Sequence, residues 1–444
     1  MSYKMIENLF QLRKNQTDIR TEILAGLTTF LAAMYIIVVN PAIISKTGMP
    51  FNGVLTATVI VSAFSTIMMG LYAKNPILIA PGMGINAFFT FSVVLGMGIK
   101  WETALGTVFW SGVVFLILSI FNVRTYIVKA IPKQIRFAVS AGIGLFIALI
   151  GFVNAKFIVA SPATLIKLGE MNIITLTFIG GMLITALLII KKVKGALIIG
   201  IALTTILAIP IGRLYGDASP INFGIPTLVT WKGIFAQPDF SLLFRLDLID
   251  SLKFAVWPVT FSFLFTDMFD SLSTFVGVAE AADLIDPDGE PRNVKESLIA
   301  DAFSTTISGL LGTSSGTAYI ESATGIEEGG RTGLTAVVSG LLFIPFMFIS
   351  PLLSVVPEIA TAPALILVGV FMMKPVLKIN WSKLDDAIPS FLALILIPFT
   401  YSITQGIIWG FLSWTVLKLL TGKKNEVSPM LIAIDVFAIL ALII

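Results

Sequence analysis

Apolar runs about as long as a membrane-spanning helix recur along the whole chain, and short polar links separate them. An α-helix needs roughly 20 largely apolar residues to cross the hydrocarbon core of a bilayer. Runs of this kind cover residues 23–45, 52–73, 77–98, 102–122, 134–154, 172–190, 195–215, 254–278, 296–312, 333–355, 360–376, 386–402 and 404–421. The polar, glycine-rich segment 317–330 adds a partial crossing, so the pattern predicts fourteen transmembrane segments.

The composition of the chain supports this reading and excludes a soluble enzyme. Of the 444 residues, 56% are hydrophobic and 12% are charged, whereas soluble domains average about 25% charged residues. The chain has neither cysteine nor histidine, which excludes disulfides and thiolate metal sites and leaves proton transfer to carboxylates. We expect an all-α, multi-pass membrane protein without a metal or other cofactor, and the net charge of +3 gives no case for a nucleic-acid partner.

Basic residues gather in alternate links between the predicted segments. These links would lie on the same side as the N-terminal residues 1–22, and the positive-inside rule makes that side cytoplasmic. The residues concerned are Lys74, Arg124, Lys129, Lys133, Arg136, Lys191, Lys192, Lys194, Arg331, Lys374, Lys378, Lys383, Lys423 and Lys424. We therefore expect a protein of the cell membrane with a cytoplasmic N-terminus.

Two long links and the tail complete the predicted topology. The link 213–253 follows the seventh segment and should therefore be external. Within it, residues 216–253 form the predicted external loop. The link 279–295 should be cytoplasmic, and Pro287-Asp288-Gly289 signals a turn within it. Within the tail 422–444, the apolar stretch 431–444 is short and contains Asp435, so we expect it at the interface or packed on the bundle; a fifteenth span is the alternative.

The chain also resembles itself. The stretch that starts TALGTVFWSGVVF at Thr103 parallels TGLTAVVSGLLF at Thr332, with one residue of slip. Residues 18–215 and 250–421 thus look like two halves of seven segments each, and an odd number gives the halves opposite orientations. Inverted repeats of this kind are typical of secondary transporters, whose sites lie where broken helices meet. The alternative is a chance likeness between apolar, glycine-rich helices.

Candidate chemistry falls on two broken segments and on the eighth segment. Pro81, Gly82 and Gly84 interrupt the third segment just before Asn86, and exposed backbone at membrane depth is tolerated only where it lines a cavity or contacts protein. The corresponding segment 312–325 has similar breaks and contains Glu321. The eighth segment contains Asp267 and Asp270, which share a helix face. Carboxylates within an apolar run indicate function. The alternative is that Asp267 and Asp270 have a structural role.

Three of these motifs resemble a known family. APGMGINAFF, FDSLST and YIESATGIEEGGRTG are similar to the azaguanine-like adenine/guanine/hypoxanthine permeases, a branch of the nucleobase–cation symporters that also include uracil and xanthine permeases. The resemblance extends over nearly the whole chain. It implies two inverted seven-span repeats, with half-helices and short strands in spans 3 and 10. It also implies a core domain (23–122 and 254–355) and a gate domain (123–215 and 356–421).

The resemblance also assigns roles to individual residues. Asp270, Glu321 and Asn86 match the family's polar positions in spans 8, 10 and 3, and Asp267 is a less certain match. Thr274 stands where related permeases place a histidine. The implied substrate-binding residues are Asn86, Ala87, Phe88, Asp270, Tyr319, Ile320 and Glu321. Phe89 is a further candidate for stacking on a base, and the implied proton-coupling carboxylates are Asp270, Glu321 and Asp267.

The expected function is uptake of a purine nucleobase by proton symport with alternating access. The sequence leaves open which purine is carried, whether the coupling ion is H⁺ or Na⁺, and whether the protein is a homodimer. An anion carrier of sulfate or bicarbonate type with the same architecture is the main alternative, although an acidic site disfavours it. A channel and an intramembrane enzyme are further alternatives, and no recognisable catalytic motif supports the enzyme.

Overall fold

The computed structural model describes residues 3–121, 131–211, 229, 233–282, 284 and 291–443, most of them in helices. The first half contains α1 (Tyr3–Phe10), α2 (Ile19–Ala33), α3 (Ile36–Ile44), α4 (Phe51–Met68), α5 (Met83–Ala87), α6 (Trp101–Ile120), α7 (Lys133–Asn154), α8 (Ile173–Ile190) and α9 (Ala196–Ala208). The second half contains α10 (Trp257–Ala282), α11 (Val294–Leu311), α12 (Ser322–Glu327), α13 (Gly333–Phe343), α14 (Ser350–Leu353), α15 (Glu358–Met372), α16 (Leu384–Thr400), α17 (Ile403–Leu420) and α18 (Pro429–Ile443). Short strands are β1 (Ile79–Pro81), β2 (Ile158–Ser161), β3 (Leu165–Leu168) and β4 (Gly316–Ala318).

Many of these helices have the length and composition that a bilayer requires. In the described part of the chain, seven helical stretches are long and apolar enough to span a membrane: Ile19–Thr47, Phe51–Ala73, Trp101–Ile120, Lys133–Asn154, Ile173–Ile190, Glu358–Lys378 and Ile403–Leu420. Shorter apolar helices are Met83–Gly96, Ala196–Ala208 and Gly333–Phe348. The chain is therefore a mostly helical integral membrane protein.

The exposed face of α8 fits a lipid environment. Only 22% of its apolar window is buried inside the protein, and Leu183, Leu187 and Ile190 are 59%, 53% and 77% exposed. Large aliphatic side chains gain about 1.5–3 kcal/mol each when they leave water for an apolar phase. Contact with lipid tails gives this face that gain without any protein partner.

Two breaks in the helical pattern meet inside the bundle. β1 and β4 pair antiparallel, with Ile79 opposite Ala318 and Pro81 opposite Gly316. All residues of both strands are buried, so their backbone groups need protein partners at membrane depth. The hydroxyl of Thr66 serves Ile79 twice, because it accepts from its N–H at 3.0 Å and donates to its carbonyl at 2.8 Å. The strands expected in the broken third and tenth segments are thus confirmed.

The helices around this strand pair make similar contacts in the two halves of the chain. α13 lies against α2 and α4, and α6 lies against α10 and α11. Glycines permit the close approach: a Cβ on Gly112 of α6 would lie 2.4 Å from the nitrogen of Thr306 in α11, and one on Gly340 of α13 would lie 2.8 Å from the carbonyl of Ala63 in α4. Gly112 and Gly340 hold the same place in the repeated sequence, so the two halves make matching contacts.

A second group of helices packs beside the first. α7 lies against α15 and α16, α8 lies against α9 and α15, and α16 lies against α17. Gly144 and Gly369 let α7 and α15 touch, since a Cβ on Gly144 would lie 2.7 Å from the Gly369 carbonyl. Lys418 of α17 is 1% exposed and pairs with Asp385 at 2.7 Å and with Asp386 at 2.6 Å. This ion cluster ties α17 to the start of α16.

A segment of turns and irregular chain contacts one end of the helices around β1 and β4. The N–H of Phe244 donates to the Leu310 carbonyl at 2.8 Å, and the N–H of Asp247 donates to the Glu102 carbonyl at 2.9 Å. These contacts belong to residues 233–253, the described part of the predicted external loop. Residues 212–228 and the predicted turn Pro287-Asp288-Gly289 lie outside the described residues.

Polar contacts at the opposite end join the N-terminal segment to the rest of the bundle. Arg292 donates to Asn15 Oδ1 at 2.8 Å and to the Arg331 carbonyl at 2.7 Å. The tail forms α18, which packs against α17, and Thr415 donates to Asp435 Oδ2 at 2.5 Å. The tail therefore packs against α17, and whether it also spans the membrane stays open between the two predicted alternatives.

Candidate functional site

Glu321 stands between β4 and α12, the two parts of the second broken segment. Its side chain is partly exposed, and its Oε1 accepts a hydrogen bond of 2.8 Å from the hydroxyl of Tyr35. Tyr35 lies between α2 and α3, at a break in the first long apolar stretch, and it is 1% exposed. Glu321 is thus held by Tyr35 through one carboxylate oxygen, and part of the residue stays exposed.

Asp270 of α10 is the second carboxylate at this place. It is partly exposed and lies close enough to Glu321 for the two charges to repel each other. The next residue, Ser271, shares a hydrogen bond of 2.7 Å with the hydroxyl of Thr317 in β4. The structure therefore places Asp270 and Glu321 near each other, and their roles in substrate binding and proton coupling stay predictions.

Asp267 has a different environment from Asp270, although the two are one helical turn apart. Asp267 is fully buried, and its Oδ2 accepts a hydrogen bond from the hydroxyl of Thr305 in α11. The same hydroxyl lies 3.0 Å from the carbonyl of Gly316 in β4. Asp267 thus joins α10 to α11 and β4, while Asp270 is the more accessible of the pair.

Asn86 lies in a buried polar network. It is 0% exposed, as is Asn40, and its Nδ2 donates to Asn40 Oδ1 at 3.0 Å. Asn40 in turn donates to Thr58 at 2.7 Å and to Thr313 at 2.8 Å. The neighbouring Ala87 is 1% exposed. The amide of Asn86 therefore has a structural partner, and its role in substrate binding stays a prediction.

The candidate aromatic residues lie mostly in the core. Phe88 and Phe89 are both 0% exposed, and their rings lie 4.9 Å and 6.4 Å from that of Phe263. The hydroxyl of Tyr319 donates to the carbonyl of Pro81 at 2.6 Å, which ties β4 to β1. Ile320, in contrast, is 43% exposed. The accessible part of the candidate set thus consists of Asp270, Ile320 and Glu321.

Sequence reasoning missed Tyr35 and a buried carboxylate, Glu22. Glu22 is 0% exposed and accepts from the Arg331 N–H at 2.8 Å and from the Thr335 hydroxyl at 2.6 Å, so it caps the start of α13. A tyrosine in the middle of an apolar run is a signal that could have found Tyr35, because its hydroxyl needs a partner. Nothing in the sequence distinguishes Glu22 from other residues at the start of a span.

The chain is similar in sequence to known permeases. The profile of the Permease family (Xan_ur_permease) matches residues 20–408. The adenine permease AdeP of Escherichia coli (strain K12) is 40% identical over 442 residues, which cover 99% of this chain and 96% of the relative. The guanine/hypoxanthine permease PbuO of Bacillus subtilis (strain 168) is 42% identical over 438 residues, which cover 97% of this chain and 98% of the relative.

Solved structures resemble the fold at low sequence identity. The transmembrane domain of the cyanobacterium bicarbonate transporter BicA aligns with a TM-score of 0.62 and 17% identity, covering 88% of this chain and 97% of that chain. SLC26A9 aligns with a TM-score of 0.63 and 10% identity, covering 91% of this chain and 66% of that chain. At these identities the likeness concerns the fold alone.

Proposed function

Since this chain belongs to the xanthine/uracil Permease family, whose members are transporters and not enzymes, we propose that it imports a purine nucleobase, namely adenine, guanine or hypoxanthine. The observation that carries the proposal is full-length similarity, at 40% and 42% identity, to permeases named for these bases. Asp270 and Glu321, the two carboxylates near the paired strands β1 and β4, fit such a ligand. A purine presents ring N–H donors, and carboxylates accept hydrogen bonds from such donors.

The base would lie beside β4, between the second broken segment and α10. Glu321 and Asp270 would accept from its N–H groups, and Tyr319 and Ile320 would contact it from the chain next to Glu321. Asn86, Ala87 and Phe88 would shape the opposite side from the first broken segment. Their full burial makes them the part of the proposed site that has to move most to touch a ligand.

Uptake would be coupled to protons through carboxylates, since the chain has no histidine. Asp270 is the first choice because it is accessible and faces a second carboxylate, Glu321. Two like charges at membrane depth repel, so one of them gains from carrying a proton. Asp267 is the third candidate, and its burial requires the proton to pass through the protein.

Alternating access would use fourteen spans in two inverted repeats, with the N-terminus in the cytoplasm. The matching contacts of Gly112 and Gly340 support the repeat. α2–α6 with α10–α13 would form the core, and α7–α9 with α15–α17 would form the gate. Ion pairs join these groups at two places, Lys46 to Glu358 at 2.7 Å and Lys194 to Glu328 at 2.9 Å. Each would open in one phase of the cycle.

An anion carrier shares the fold, as BicA shows, but a fold does not fix a substrate. The accessible polar groups of the site are carboxylates, which repel anions.

Uptake by proteoliposomes tests the proposal. The purified protein should accumulate labelled adenine, guanine or hypoxanthine when the outside is acidic, and a protonophore should abolish the accumulation. Labelled sulfate and bicarbonate serve as competing substrates, and Glu321→Gln protein serves as a folded control. Sulfate or bicarbonate uptake without purine uptake would refute the purine proposal.

A further inference from the structure

Tyr35 connects the break in the first long apolar stretch with Glu321 of the second broken segment. It stands where α2 ends and α3 begins, and its own carbonyl accepts from the N–H of Val39 at 3.0 Å in the first turn of α3. It is 1% exposed, and its ring lies 6.5 Å from that of Tyr319. The side chain therefore reaches from a break in the first span to the second broken segment, where it meets Glu321.

We propose that Tyr35 is the positioning residue for Glu321 in base recognition: its hydroxyl fixes the direction in which the carboxylate presents its remaining acceptor sites. The inference rests on the proposed function. A phenol has one O–H to donate, and here Glu321 Oε1 receives it at 2.8 Å. A carboxylate offers about four lone-pair sites on two oxygens, so this bond orients Glu321 without filling it.

The hydroxyl of Tyr35 has a second effect, which concerns the protonation of the Glu321 carboxyl group. The titratable groups that face Glu321 are Tyr35 from the first span, Tyr319 from its own segment and Asp270 from α10. A hydrogen bond from a phenol is stronger to a charged acceptor than to a neutral one. Tyr35 thus favours the charged form of Glu321 over the protonated form.

Removing the hydroxyl should therefore change both affinity and pH dependence. In Tyr35→Phe, the charged form of Glu321 loses the hydrogen bond that favoured it, so Glu321 should take up a proton at a higher pH than in the wild type. A protonated carboxyl donates from one oxygen, which penalises bases that present an N–H there. Purine binding should weaken about ten- to a hundredfold, and the pH below which binding falls should move upward.

The experiment measures equilibrium binding of labelled hypoxanthine and a set of purine analogues across mildly acidic to mildly alkaline pH. Purified wild type, Tyr35→Phe, Glu321→Gln and the double variant are compared, with Tyr72→Phe as the matched control because Tyr72 is 48% exposed. We expect the upward pH shift in Tyr35→Phe only. Adding Tyr35→Phe to Glu321→Gln should change nothing further, since the carboxylate on which the hydroxyl acts is gone.

A purely structural role predicts a different result. Tyr35→Phe would then weaken all analogues equally, leave the pH profile in place and add its loss to that of Glu321→Gln; this outcome would overturn the inference. If Tyr35→Phe does not fold, a fluorinated tyrosine at position 35 keeps the ring and makes the hydroxyl a stronger donor. The pH profile should then move downward, and an unmoved profile contradicts the proposal.

Failure of the proposed function gives a separate result. If wild-type protein binds no purine at any pH, the purine proposal fails and the role of Tyr35 in base recognition fails with it. If the wild type binds purines and Tyr35→Phe binds them with the same affinity and pH profile, only the inference about Tyr35 is wrong.

Discussion

The two broken segments have the same backbone design but different polar environments. Each has a short strand followed by a short helix, Ile79–Pro81 before α5 and Gly316–Ala318 before α12, and the two strands pair with each other. The first segment buries its polar side chain, Asn86, completely. The second leaves Glu321 partly exposed beside Asp270. Each break places a polar side chain close to the paired strands. The helices packed beside each break determine whether that side chain is buried, like Asn86, or partly exposed, like Glu321.

The contacts of the two polar residues explain this difference. Asn86 donates to Asn40, which is itself held by two threonine hydroxyls, so a ligand would have to displace a bonded amide. Among the described residues, one side chain donates a hydrogen bond to the carboxylate of Glu321, namely that of Tyr35. A carboxylate with one such donor has acceptor sites left for a base.

The largest expected effect comes from replacing Asp270, the carboxylate near Glu321 of the second broken segment. Asp270→Asn keeps the shape of the side chain but removes its ability to titrate. Proton-driven accumulation of purine in proteoliposomes should be abolished, even where binding survives. Asp267→Asn is the comparison variant, one helical turn away. Full accumulation by Asp270→Asn with unchanged pH dependence would exclude Asp270 as the coupling group and direct attention to Asp267.

Glu321→Gln should have the next largest effect. The change replaces an acceptor oxygen with an NH₂ donor at the accessible polar group of the second segment. Loss of a buried hydrogen-bond partner costs about 1–3 kcal/mol, which weakens binding roughly ten- to a hundredfold. The ranking of purine analogues should change as well, and binding to purified protein measures both effects. Wild-type binding of every analogue would show that Glu321 is structural.

Asn86→Ala tests the first segment and should have a smaller effect on binding. The variant removes the donor to Asn40, so the buried network loses a bond and the free energy of unfolding should fall by about 1–3 kcal/mol. Purine binding should weaken about tenfold, without a new ranking of analogues. A change of ranking like that expected for Glu321→Gln would break the comparison, because both segments would then read the base.

The smallest expected effects on purine binding concern the strands and the residues next to them, where the variants should act mainly on stability. A Cβ on Gly316 would lie 2.0 Å from Ser304 Oγ, and a Cβ on Gly82 would lie 2.6 Å from Thr317 Cγ2. Overpacking of this kind typically costs about 1–3 kcal/mol, so Gly316→Ala should lower the thermal unfolding midpoint more than Gly82→Ala. The reverse order would show that the first segment is the more tightly packed of the two.

Local sequence features were enough to predict much of the fold. Apolar runs predicted the positions of the membrane helices within a few residues, as for 134–154 against Lys133–Asn154 and 172–190 against Ile173–Ile190. The resemblance added the strands in the broken segments. The number of fourteen spans and the two domains stay proposals, because helix bounds and contacts do not place a bilayer.

The sequence by itself determined that this is a membrane protein, that two segments are broken and that carboxylates lie in otherwise apolar runs. These features depend on neighbouring residues, so they can be read along the chain. Only the tertiary structure decided which polar groups are accessible. It joined Tyr35 to Glu321 across 286 positions, paired Asn86 with Asn40, and separated the environments of Asp267 and Asp270. The physical reason is that burial and hydrogen bonding depend on the helices packed alongside a residue, and the local sequence does not specify those neighbours.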